Sequence, residues 1–203
     1  MRQLEIELVT MGPGHAEKLR GIWLEMLAGA PGVFYERLDE AMALGADDWR
    51  VRALNFTSRT STAIAAQRNG AFVGLISGYV DSAGADLEGH ISHFHVVGPR
   101  AGGLPTRGQV ASVLLEGLAE WMVARNVNEL FIGVREDQVS TLDQLLGLGF
   151  VPTGARRVNE IDGDYEEVEL VCMLSGLAYD NVLHPTSGTR RPSSPGEYRY
   201  RVV

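Results

Sequence analysis

Cysteine is nearly absent from this chain of 203 residues, in which Cys172 stands alone. A single thiol excludes an internal disulfide and any zinc site built from several cysteines. Long apolar runs are missing as well; none approaches the roughly 18 residues that a membrane-crossing helix needs. Met1 to Thr10 alternates apolar and acidic side chains, without the basic-then-apolar layout of an export signal. Positive charge is in deficit, 18 basic against 26 acidic side chains, for a formal net charge of −8. That average charge repels a duplex, so no nucleic acid is expected as partner; with no spanning run no membrane is expected either, and the expected compartment is cytoplasmic. What is present is ordinary globular composition: 45% hydrophobic and 22% charged residues, which sets the chain apart from disordered sequences. The length suits one compact domain, with or without a tail.

The hydrophobic period switches repeatedly between two and 3.6, the pattern of a mixed α/β domain. Leu4, Ile6 and Leu8 alternate as a first strand, broken by Gly12-Pro13-Gly14. Leu19, Ile22, Trp23, Met26 and Leu27 form one face of a helix that Gly29 and Pro31 end. A second helical stretch is expected from roughly Tyr35 to Leu54, with Gly45 near its middle. Two β-rich runs, Thr62–Gln67 and Ala71–Val80, flank Arg68-Asn69-Gly70, and Asn-Gly between such runs signals a hairpin. His90–Val97 reads as a fourth strand, followed by a turn-rich stretch from Gly98 to Pro105. A helix begins near Arg107, with Val110, Val113, Leu114, Leu118, Trp121 and Met122 on its buried face. Leu130, Ile132 and Val134 form strand five, Val139 to Leu146 a short helix, Phe150 opens strand six, and Glu167–Leu174 is strand seven.

Residues 175–203 change character: they hold Pro185, Pro192 and Pro195, lack an amphipathic period and carry net +2. They read as a tail outside a 1–174 domain, flexible or docked on a sheet edge through Glu197–Val203.

Four segments resemble the GNAT N-acetyltransferase superfamily, in the form of a diverged bacterial-type member. Gly89-His90-Ile91-Ser92-His93-Phe94-His95-Val96 resembles the family's fourth strand, and Arg107-Gly108-Gln109-Val110-Ala111-Ser112-Val113-Leu114-Leu115 its coenzyme A loop and helix start. Gly149-Phe150-Val151-Pro152-Thr153-Gly154 resembles the "GF" between helix four and strand six. Leu27-Ala28-Gly29-Ala30-Pro31-Gly32-Val33-Phe34, with Trp49-Arg50 downstream, resembles a segment after helix one in a bacterial branch. The resemblance implies a mostly antiparallel central sheet of about seven strands flanked by helices. It also implies acetyl-CoA as cosubstrate and an amine acceptor, either a small molecule or a peptide. A loop feeding a helix N-terminus offers free N–H groups and a positive dipole end, which suit a pyrophosphate.

The match has two departures. The family's loop reads Q/R-x-x-G-x-G/A; with the paired leucines aligned, Thr106 takes the first position, Gln109 replaces the middle Gly and Ala111 fills the last, whereas with Arg107 aligned first Val110 and Ser112 replace both glycines. On helix four, Gln138 takes the place of a frequent Asn, and Leu145 that of a frequent Tyr which protonates the leaving thiolate.

Acetyl transfer requires a neutral amine, and a lysine-like amine has a pKa near ~10.4, so a base or desolvation is needed. Where the family often places a Glu, this strand carries His90 and Ser92, with Glu88 and Asp86 just before as reserve bases. His93 and His95 lie on the other face together with Ile91. The catalytic candidates are therefore His90, Ser92, Glu88 and His93. The resemblance assigns acetyl-CoA contacts to backbone at Val96 or Val97, to Thr106, Arg107, Gly108, Gln109, Val110 and Ala111, and to Gln138. No metal is expected, because His93 and His95 lack a nearby third ligand. Trp49 and Phe34 are candidates for the acceptor pocket, whereas Trp23 and Trp121 suit core packing. Open strand edges are compatible with a homodimer. The lost glycines and Leu145 motivate an alternative, a non-catalytic GNAT-fold binding or regulatory protein.

Overall fold

The computed structural model describes residues 5–30, 33–34, 36–82, 87–98, 106–158, 166–174 and 197–201. Asp86, the Pro99–Pro105 stretch and most of the 175–203 tail lie outside the described residues.

The elements run β1 (Glu5–Thr10), a 3-10 turn (Pro13–His15), α1 (Ala16–Gly29), α2 (Leu38–Ala43), α3 (Ala46–Asn55), β2 (Ser61–Arg68) and β3 (Ala71–Asp81). They continue with β4 (Glu88–Val96), α4 (Arg107–Val123), β5 (Glu129–Arg135), α5 (Val139–Gly147), β6 (Val151–Val158), β7 (Glu166–Met173) and β8 (Glu197–Arg201). The strands follow the order β6-β7-β5-β4-β3-β2-β1-β8. β4 and β5 pair in parallel, while β1–β2, β5–β7, β6–β7 and β1–β8 pair antiparallel. The described residues fall in two compact units, one within Met1–Gly78, His93–Leu118 and Ser187–Val203, the other within Tyr79–Ser92 and Ala119–Thr186.

In the first unit, Leu19, Ile22, Trp23, Met26 and Leu27 face the core, as their spacing requires. They pack with Trp49 and Ala53 of α3, Ala63 and Ala65 of β2, and Leu75 of β3. The single helix expected from Tyr35 to Leu54 is two. Leu44 and Gly45 are extended, with ψ of 135° and 173°, and Asp48 Oδ2 accepts the Gly45 N–H at 2.8 Å to start α3. An acid three residues into the helix thus captures a free first-turn donor and fixes the break. The β2–β3 hairpin turns on Asn69 (φ 50°) and Gly70 (φ 79°), both left-handed as a tight hairpin demands. The opposite face of the same strands meets α4. A Cβ on Gly117 would lie 2.5 Å from Leu8 Cδ1, and one on Gly74 would lie 2.8 Å from Leu114 Cδ1 and 2.9 Å from Val110 Cγ1. Gly74 thereby lets the first turns of α4 sit directly on β3.

In the second unit, Leu130, Ile132, Val134, Leu170, Cys172 and Phe150 are buried. A Cβ on Gly89 would meet Met122 Sδ and Val127 Cγ1 at 3.0 Å, so this strand face packs against the end of α4. Past the end of α5, Gly149 is left-handed (φ 93°), and Phe150 donates its N–H to Leu145 O at 3.1 Å. Leu145, where the family resemblance places a tyrosine, is wholly buried core.

Candidate active site

β4 carries two side-chain clusters along its length, one at Glu88 and His90 and one at His93. On one face Glu88 Oε2 lies 3.5 Å from His90 Nε2. The imidazole of His90 stacks between Tyr79, at 5.1 Å between ring centroids, and Phe131, at 5.5 Å. Ser92 follows on that face and is exposed. The structure thus brings Glu88 and His90 together as an imidazole–carboxylate pair held flat between two aromatic rings.

The expectation that His93 lies on the face opposite His90 is not met: its partner Ser77 and the His90 partner Tyr79 are alternate residues of β3 and share a face. His93 Nδ1 is 2.9 Å from Ser77 Oγ, and its ring is 4.3 Å from Trp23 and 5.6 Å from Phe34. Burial, and secondarily the positive charge of Arg52, push its pKa down to about 4, against a weaker upward pull from Glu36. His93 is therefore neutral at pH 7 and too weak a base to carry the proton of an ordinary amine. The cluster around it is an ion pair set among indoles. Arg52 Nη1 and Nη2 donate to Glu36 at 2.8 and 2.7 Å, and Trp23 Nε1 donates to Glu36 Oε2 at 2.8 Å. The Arg52 guanidinium lies over the Trp23 and Trp49 rings at 4.8 and 4.7 Å. Burial raises the Glu36 carboxyl, but hydrogen bonds from Arg52 and Trp23 outweigh it and leave the pKa below the ordinary value. Sequence reading singled out Arg50 beside Trp49 and missed both Arg52 and Glu36. Arg50 pairs on the surface with Asp47 at 2.7 Å, whereas Arg52 occupies the inward position two residues on.

The start of α4 is the proposed phosphate-facing element. Thr106 and Gln109 form a reciprocal cap: Thr106 N–H donates to Gln109 Oε1 at 3.0 Å, and Gln109 N–H donates to Thr106 Oγ1 at 3.3 Å. The T-x-x-Q spacing is the sequence signal for this cap. Val110 N–H bonds Thr106 O at 3.2 Å, and the Val110 and Ala111 side chains are buried. Of the six expected contact residues, Gln109, Val110 and Ala111 have their N–H groups or side chains committed to the helix and core. Arg107 and Gly108 are exposed, and their N–H groups have no hydrogen-bond partner among the described residues. A Cβ on Gly108 would meet nothing nearer than Thr106 Oγ1 at 3.9 Å, so packing does not require this glycine. Close by, burial and then the charge of Arg107 push the His95 pKa down to about 4, and its Nε2 is buried with no partner among the described residues.

Val97 donates its N–H to Val73 O at 3.0 Å, so it is not a free donor for an acetyl oxygen. Adjacent residues of an extended strand aim their N–H groups at opposite edges, which turns that of Val96 away from β3. In the second unit Gln138 stands at the N-cap of α5, where its Oε1 accepts from Thr141 Oγ1 at 3.3 Å and its N–H bonds Arg135 O at 3.0 Å. Trp49 is 1% exposed, which removes it from a pocket lining, whereas Phe34 is half-buried beside His93. Among the described residues no three potential metal ligands cluster, and no helix is long and apolar enough to cross a membrane.

No family model matches this chain, and no curated protein matches it. Solved structures do. A GNAT-family acetyltransferase from Streptococcus pneumoniae matches 83% of this chain and 99% of its own, with TM-score 0.65 at 17% identity. A ribosomal-protein-alanine N-acetyltransferase from Brucella melitensis matches 82% of this chain and 98% of its own, with TM-score 0.63 at 16% identity. The protein yncA from Salmonella typhimurium, solved with its cofactor acetyl-CoA, matches 82% of this chain and 92% of its own, with TM-score 0.61 at 12% identity. At these identities the likeness is one of fold, and the chain has the GNAT acyltransferase fold.

Proposed function

We propose that this chain is an acetyl-CoA-dependent N-acetyltransferase acting on a primary amine of a small molecule or a peptide. The observation that carries the reading is the exposed start of α4: two N–H groups without a partner among the described residues, the Arg107 cation, and a glycine at position 108 that packing among those residues does not explain. Glycine there costs the helix about 1 kcal/mol relative to alanine, and close backbone approach to a phosphate accounts for its presence. Arg107 and Gly108 would hold the pyrophosphate, and the Val96 N–H would meet the acetyl oxygen. Acetyl-CoA supplies an activated acetyl group and a thiolate leaving group.

His90 is the proposed general base. Glu88 at 3.5 Å stabilises the imidazolium that forms when His90 takes the amine proton, and Tyr79 and Phe131 hold the ring in place. His93, kept neutral in its aromatic cluster, is assigned a packing role. With Leu145 in place of a tyrosine, no side chain is assigned to protonate the thiolate; a free thiol has a pKa near ~8.5, so its thiolate leaves without much help.

The test is calorimetric titration of the protein with acetyl-CoA beside Arg107→Ala, followed by thiol release with a panel of amines. Micromolar binding lost in Arg107→Ala, with turnover on at least one amine, supports the reading; no binding by the wild-type protein ends it. A second reading is favoured by the Thr106–Gln109 cap, which occupies a donor that glycine-rich loops leave free. In it the chain is a GNAT-fold binding or regulatory protein without turnover.

A further inference from the structure

Among the described residues, the second unit has one buried sheet face and one partly exposed face. On β4, β5 and β7, residues 89, 91, 130, 132, 134, 170 and 172 are buried, whereas none of the described residues on the opposite face is. Across that opposite face runs a row of register partners: His90 with Phe131, Phe131 with Val171, and Val171 with Val151. Tyr79 continues it by stacking on His90. The row crosses five strands, about 19 Å at the usual strand spacing, and its outer members, Tyr79 and Val151, are 43% and 57% exposed.

The neighbouring row is acidic. Glu88 and Glu129 are register partners on adjacent strands, followed by Met173, which is 50% exposed. Like charges placed opposite one another destabilise a sheet, and a cation between them relieves the repulsion. The Glu129 carboxylate has no hydrogen bond or ion pair among the described residues, and the Glu88 carboxylate reaches His90 alone at 3.5 Å. Elsewhere on the face charges are matched: Arg135 pairs with Asp137 at 2.6 Å and Arg157 with Glu169 at 3.0 Å. The unmatched charge is thus negative and lies beside aromatic faces, the combination that attracts ammonium and guanidinium groups. The net charge of −8 adds long-range attraction of the same sign.

We propose that this face docks a basic peptide segment, with lysine or arginine side chains over Tyr79 and Phe131 and their charges against Glu88 and Glu129. An open row of side chains suits an extended chain, whereas a small molecule needs enclosure. In describing the docked peptide as the amine acceptor, the inference rests on the acetyltransferase reading above; in describing a docking face it does not.

The test is titration of the full chain, without acetyl-CoA, with N-acetylated tetralysine amide, and with tetraglutamate as control. Tetralysine is expected to bind and to weaken with added salt, and tetraglutamate not to bind. Phe131→Ala and Glu129→Gln are each expected to weaken tetralysine about fivefold, while Tyr79→Phe leaves it unchanged. Tyr79→Ala, at a more exposed ring, repeats the test if Phe131→Ala fails to fold. No binding by the folded wild-type chain, or equal binding by Tyr79→Ala and Glu129→Gln, overturns the proposal. Thiol release from acetyl-CoA with a small amine is read separately. Transfer without peptide binding overturns the docking face alone; peptide binding without transfer upholds the face and removes the enzyme reading.

Discussion

Arg52 grips Glu36 with both terminal guanidinium nitrogens, at 2.8 and 2.7 Å, while its flat face lies over two indoles. The pair ties α3 to the segment before α2 and, through Trp23, to α1. Both side chains are about three-quarters shielded from solvent, at 24% and 23% exposure. Removing one partner strands the other charge among aromatic rings. Arg52→Ala is expected to cost about 2 kcal/mol in urea unfolding. Glu36→Gln should cost less, because an amide still accepts from Trp23. A double-mutant cycle checks the coupling, and additivity of the two changes would show that the pair contributes nothing as a pair.

Acid should loosen the same cluster. The folded protein holds His93 neutral down to about pH 4, whereas the unfolded chain protonates near 6.5. The contribution is complete above pH 6.5 and is lost as pH falls from there toward 4. The shift amounts to about 3 kcal/mol at most. His95 acts in the same direction. His93→Gln, which keeps a partner for Ser77 and does not titrate, is expected to flatten the fall in urea midpoint between pH 7 and 5. An unchanged slope would locate the acid sensitivity elsewhere.

Two glycines near α4 should behave in opposite ways. Gly74→Ala places a methyl 2.8 Å from Leu114 Cδ1 and is expected to destabilise by about 1–3 kcal/mol. Gly108→Ala meets open space and should leave stability equal or slightly higher. Acetyl-CoA binding, however, is expected to fall about tenfold in Gly108→Ala, roughly 1.4 kcal/mol. Equal binding by Gly108→Ala and wild type would remove the functional explanation of that glycine.

His90→Ala is expected to reduce acetyl transfer about 100-fold with acetyl-CoA affinity retained, the usual effect of losing a general base. Glu88→Gln should reduce it less, since Glu88 acts on His90 and not on the amine, and the check is kcat against KM for the amine. Full activity in His90→Ala would return the base assignment to Ser92 or to solvent.

Much of this fold is legible in the sequence because it depends on local rules. The five apolar residues of α1 sit at helical spacing and are buried as a set, and Asn69-Gly70 turns the hairpin. Where a local signal is weaker, a single residue decides the structure. Gly45 within a helical pattern marks a break, and Asp48 three residues on is the capping signal that decides it. The T-x-x-Q spacing at Thr106 is legible in the same way as a cap. The site was less accessible for a different reason. Pairing Glu36 with Arg52 joins residues 16 apart, and Ser77 with His93 joins neighbouring strands. Helical spacing offers one signal: Arg52 stands three residues after Trp49 and shares its face, whereas Arg50 does not. The aromatic stack of Tyr79, His90 and Phe131 likewise follows from register, which the sequence does not specify directly.

The closeness of Trp23 to His93, 4.3 Å between rings, has an optical consequence. A protonated imidazole quenches indole emission at contact range, whereas a neutral one does so weakly. The chain has three tryptophans, of which Trp23 and Trp49 belong to the first unit and Trp121 to the second. With Trp121 replaced by phenylalanine, the remaining emission becomes a native reporter of one unit alone, dimming in acid as His93 takes its proton. The molecule thus carries its own dye at the junction of α1, α3 and β4, and the state of that junction can be read in a cuvette without a label.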